Sequence, residues 1–187
     1  MEVEGESIRV VTVCGADSPT PGDFTGLSAA LSCVTPNTCI RILAGTYEEP
    51  PLMVDVDDIQ IIADGAVNII CRSLDAVMKL RSRRTLIKGL KLHLILAEEV
   101  ETDGLSCIVV EAGSATLEEC HISGSAGGVL VMPALPEDSP EPVFRSCHIT
   151  ECKDFAIKVM GGSNPHFDQC QIYNVKGFGI VACGDAK

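Results

Sequence analysis

Three decapeptides in the second half of the chain superimpose without gaps: TLEECHISGS from Thr116, VFRSCHITEC from Val143 and HFDQCQIYNV from His166. Leu117, Phe144 and Phe167 correspond, as do Cys120, Cys147 and Cys170, and Ile122, Ile149 and Ile172. TLIKGLKLHL fits the same frame through Ile87, Leu90 and Leu92, and DDIQIIADG extends it backwards through Ile59 and Ile62. A second strand-like segment precedes each of the last three copies, LSCIVVEAG, GGVLVMPAL and FAIKVMGGS, and a final one, FGIVACGD, starts at Phe178. Short apolar strands separated by Gly-rich turns, recurring every twenty-odd residues, are the signature of a solenoid.

A leucine-rich repeat needs a Leu-x-x-Leu-x-Leu frame that is missing here. An all-β, right-handed parallel β-helix of about five coils fits. Each coil lays its strands on the previous coil's at about 4.8 Å, so equivalent residues stack. Side chains alternate along a strand, which puts Cys120, Cys147 and Cys170 in one inward ladder and Ile122, Ile149 and Ile172 in another. Lys91, His121, His148 and Gln171 then form an outward column. The whole chain, 1–187, reads as one β-helix domain. Within it, 8–36 is a strand and an amphipathic helix and 37–187 is coils, with acidic loop excursions at 96–104 and 132–142. Phe24, Leu27, Ala30, Leu31 and Val34 have helical spacing, and Asp23 or Thr25 is available as N-cap. A helix there is expected to cap the open first coil.

The run FTGLSAALSCVTPNTCIRILAGTYEEPPLMVDVDDIQIIADG resembles the opening of right-handed β-helix domains of the pectin-lyase-like superfamily. The match includes Ala44, Gly45, Thr46 and Tyr47. FAIKVMGGSNPHFDQCQIYNVKGFGI, with its Gly-Ser-Asn-Pro turn, is similar to the coils of the non-enzymatic, CASH-type branch found in F-box substrate receptors and Shc-binding scaffold proteins. The resemblance implies a protein-binding scaffold; the sequence itself contains no F-box.

Enzymes on this fold that cleave glycans need convergent carboxylates. Asp55, Asp57 and Asp58 share one turn and read as a solvated loop. Asp168 aligns with Arg145 and Glu118, so no carboxylate column forms. The chain has no Trp and two Tyr to serve as sugar platforms. No catalytic residue, cofactor or metal is expected, and His121 and His148 read as surface histidines. A net charge of −12 disfavours nucleic acid and anionic membranes. No apolar run approaches the ~20 residues needed to span a bilayer. The acidic N-terminal stretch lacks a signal-peptide pattern. Reduced thiols in a cytoplasmic or nuclear protein are the expected state of the ten cysteines.

Basic residues concentrate on one coil, with Arg81, Arg83, Arg84, Lys88 and Lys91 as candidate partner-binding residues for an acidic peptide. The open C-terminal end is a second candidate surface, for another chain or for self-stacking. The expected function is a non-catalytic interaction scaffold or recognition domain in a larger assembly; the alternative is a carbohydrate-binding or polysaccharide-cleaving, pectate-lyase-like β-helix.

Overall fold

The structure, a computed structural model, describes residues 8–16, 20–97, 101–102, 104–133 and 140–185. It is an all-β, right-handed parallel β-helix of about six turns. The chain enters through β1 (Arg9–Val13). The first three turns each combine one long bent strand with one short one: β2 (Thr38–Glu48) with β3 (Leu52–Val54), β4 (Ile59–Cys71) with β5 (Met78–Leu80), and β6 (Arg83–Leu94) with β7 (Ser106–Val110). In the last three turns the long strand breaks in two. β8 (Ser114–Glu118) and β9 (His121–Gly124) lead to β10 (Gly127–Val131), β11 (Val143–Arg145) and β12 (His148–Thr150) to β13 (Phe155–Val159), and β14 (His166–Asp168) and β15 (Gln171–Tyr173) to β16 (Phe178–Ala182). All pairing is parallel, coil on coil.

The break has a local cause. Glu119, Ser146 and Gln169 hold φ between +50° and +53° at one corner, where Gly65 and Gly89 serve the earlier coils. A left-handed residue turns the chain sharply, and the strand restarts after it. Elsewhere Gly113 lets two coils touch, because a Cβ there would lie 2.2 Å from the Ser82 carbonyl oxygen.

Side-chain columns fill the interior. Ile40, Ile61, Ile87, Leu117, Phe144 and Phe167 stack in one register, and the two phenyl rings lie 4.8 Å apart. Tyr47, Ile69, Leu92, Ile122, Ile149 and Ile172 form a second. Ile61, not Ile62, occupies the column, because Ile62 points to the opposite face of the same strand. Leu52, Met78, Ile108, Val129 and Ile157 line the opposite wall, and Ile180 continues their column on the last coil but is exposed.

Cys120 and Cys147 are buried and Cys170 is half-buried. Their thiols repeat one contact, each donating weakly to the preceding coil: to Ile87 O at 3.6 Å, Leu117 O at 3.5 Å and Phe144 O at 3.5 Å. A thiol suits this slot because it is small, apolar and able to donate at the corner. All ten cysteines are free.

The solenoid has one coil more than the repeat count implies, since β2 and β3 complete a turn whose sequence lacks the cysteine frame. The only helix among the described residues is short, α1 (Leu27–Leu31), rather than the longer one expected. Its N-cap is Gly26, with no side-chain cap of its own. Glu49 reaches in from β2's end instead and accepts hydrogen bonds from the amides of Leu27 (2.5 Å) and Ser28 (3.2 Å). Asp23 is used elsewhere, accepting from the Thr12 amide at 2.7 Å. Phe24 pairs with Val13 in a β-bridge, which keeps it out of the helix. The central parts of both acidic loop excursions, including 98–100 and 134–139, lie outside the described residues.

Candidate functional site

The basic coil is tied to its acidic neighbours. Arg81 pairs with Glu111, Arg84 makes two bonds of 2.5 Å to Asp58, and the Arg83 amide donates to Asp57 at 2.7 Å. Lys88 bridges Glu118 and Glu119 at 3.6 and 3.1 Å. Glu118 also accepts from Arg145 at 3.1 Å. Lys88, Glu118, Arg145 and Asp168 thus form an outward column of alternating sign. Sequence clustering identifies the charges but not these partners, which come from the adjacent coils. Lys91 stands apart: it makes no ion pair among the described residues.

Lys91 belongs to a different face. Asn68, Lys91, His121, His148 and Gln171 stack as one outward column. Two residues further on, Ile70, His93, Ser123, Thr150 and Tyr173 form the next. The ring chain starts in the second column at His93, runs along the first through His121 and His148, and returns to the second at Tyr173. His93 to His121, His121 to His148 and His148 to Tyr173 each span 6.2 Å between ring centres. His93 Nδ1 lies 2.7 Å from Ser123 Oγ, and His121 Nε2 lies 3.0 Å from Thr150 Oγ1. Both hydroxyl residues are buried beneath the imidazoles, so the rings are fixed by hydrogen bonds as well as by stacking.

Burial pushes the His93 imidazole below its ordinary range, and Lys91 adds to the effect while Glu151 opposes it. For His121 burial again leads, reinforced by His93, His148 and Lys91. Neutral rings at pH 7 follow, offering π faces and one remaining nitrogen each. Among the described residues no group of three or more His, Cys, Asp or Glu is arranged to hold a metal ion.

Beside the ring chain runs a groove of about 500 Å³. His93, Ser123 and Ser125 form one wall, Leu94, Ile95 and Leu96 close it, and Glu151, Lys153 and Lys176 rim it on the next two coils. His93 and Tyr173 escape a repeat-based reading because neither has a like residue at its own position in the adjacent copies. Only the diagonal packing of side chains joins them to His121 and His148.

Residues 82–187 match the family model described as "Right handed beta helix region". This chain belongs to that right-handed β-helix family. Among solved structures, the pectin methylesterase from carrot is similar at 14% identity and a TM-score of 0.47. The alignment covers 84% of this chain and 62% of that one, so the chain spans less than two thirds of its length. No curated protein matches the chain. No helix among the described residues is long and apolar enough to cross a membrane.

Proposed function

We propose that this β-helix is a non-catalytic recognition domain that binds an extended protein segment along its outer face, as part of a larger cytoplasmic or nuclear assembly. The observation that carries the reading is the four-ring chain, His93–His121–His148–Tyr173, set beside a groove that crosses the same coils. His93 and His121, held by buried hydroxyls and a stacked backbone, lose little freedom on binding, which favours affinity for a partner that lies along them. The resemblance to the CASH-type branch supports the same role. In this reading α1, which buries Leu27, Ala30 and Leu31, and β1 cover the first coil.

Selection from a displayed library of twelve-residue peptides tests the proposal, run beside a glycan array on the same protein. Enriched peptides that no longer bind when His148→Ser and Tyr173→Ser are combined, with the fold retained by circular dichroism, support it. No peptide enrichment together with retention of defined glycans overturns it and favours the carbohydrate-binding alternative.

A further inference from the structure

The groove has a charge character that the ring chain does not explain. Lys153 and Lys176 occupy equivalent corner positions on successive coils, between the paired residues Thr150 and Tyr173 on one side and Phe155 and Phe178 on the other. Two like charges are therefore stacked in register, an arrangement that repels unless an anion lies between or beside them. Several other cations in this molecule meet an acid: Arg41 pairs with Asp64, Arg72 with Glu48, Lys79 with Asp75, Arg81 with Glu111 and Arg84 with Asp58. Lys153 and Lys176 make no ion pair among the described residues. In a chain of net charge −12, these two lysines place two such charges on the rim of one groove, beside Glu151.

We infer that the groove reads an acidic, extended peptide, with Lys153 and Lys176 binding its carboxylates and Ile95 and Leu96 receiving its intervening apolar side chains. This rests on the recognition reading above and names its ligand class. His93 contributes a third polar contact. When the Ser123 hydroxyl donates to Nδ1, the ring proton sits on Nε2, which becomes a donor toward an anion. From the His93 coil to the Lys176 coil is three steps of the solenoid, roughly 14 Å at the spacing of stacked strands. That is the length of about four residues of extended chain. A rim that carries two lysines beside Glu151, in a groove that also exposes Ile95, suits a peptide in which acids alternate with aliphatic residues, because successive side chains of an extended chain point opposite ways.

The test uses a fluorescein-labelled octapeptide of alternating Glu and Leu, its Gln-for-Glu counterpart and a uronate oligomer, each titrated into the 187-residue chain. The Glu peptide is expected to bind, to weaken as salt is raised, and to lose about tenfold or more in affinity when Lys153→Glu and Lys176→Glu are combined. Lys153→Arg with Lys176→Arg is expected to keep binding, which separates charge from folding. Equal affinity for the Gln peptide, or unchanged affinity after the double reversal, overturns the inference. So does preference for the uronate oligomer. Neutral peptides that bind regardless of the lysines, yet are lost with His148→Ser and Tyr173→Ser, overturn the acidic-ligand inference while leaving the recognition reading intact.

Discussion

His93 and His121 are the residues whose chemistry depends most on their neighbours. Both imidazoles titrate below their ordinary value because burial disfavours the charged ring. Between that depressed range and the unfolded value of about 6.5, the unfolded chain binds more protons than the folded one. Stability therefore rises with pH through this window and falls on acidification. Thermal melts between pH 7.5 and 5 are expected to show the loss, and combining His93→Gln with His121→Gln to flatten it. Proton NMR should place both midpoints below that of a model imidazole. The thiols behave in the same spirit. Burial pushes Cys152 up to about 11 and Cys107 higher still, while Cys147 is raised by its bond with Cys120 and then by burial. Since thiolate is the reactive form, brief alkylation of the native protein should label exposed Cys33 and leave these three unmodified, as mass spectrometry would read.

At the scale of the element, corners decide more than strands. The Ser146 backbone sits at φ +50°, a conformation costly for any residue with a Cβ. Ser146→Gly should relieve it, and is expected to gain about 0.5–1 kcal/mol despite glycine's larger unfolded-state entropy. Gly113→Ala is the converse case. Its φ is +79° and its new Cβ would meet the Ser82 carbonyl carbon as well as the oxygen, so a loss of about 3 kcal/mol is expected in urea denaturation. The short helix is tested through Glu49, which is buried and holds two of its free amides. Glu49→Ala should cost about 1–2 kcal/mol and Glu49→Gln less, because the amide oxygen still accepts one bond.

At the scale of the molecule, the charge pattern ties coil to coil. Reversing Arg81 and Arg84 to Glu would set like charges against Glu111 and Asp58. The variant is expected to melt lower than the parent, with the gap narrowing at high salt, because exposed pairs are screened. That outcome would make the basic coil a strap within the solenoid. Lys91, Lys153 and Lys176 would then be among the cations that make no ion pair among the described residues. The alternating column of Lys88, Glu118, Arg145 and Asp168 works the same way: a slip of one coil's register would remove each of its attractions.

The repeat of Leu or Phe, Cys and Ile dictated a parallel β-helix by itself, because residues two apart on a strand share a face and equivalent residues on successive coils must stack. It also placed Cys120, Cys147 and Ile149 inward and His121 and His148 outward. Three things lay beyond it. Ile62 and Ile61 are indistinguishable by composition, and only strand register chose between them. The helix shrank to Leu27–Leu31 because Phe24 was drawn into a bridge with Val13, a contact between segments apart in sequence. The site itself is diagonal: His93 meets His121, and His148 meets Tyr173, across columns that no alignment of repeats connects. Periodicity reports which way a side chain points, and that is a property of one strand. Which ring leans on which, and which cation meets which acid, depend on distances between coils, and those exist only once the chain has wound.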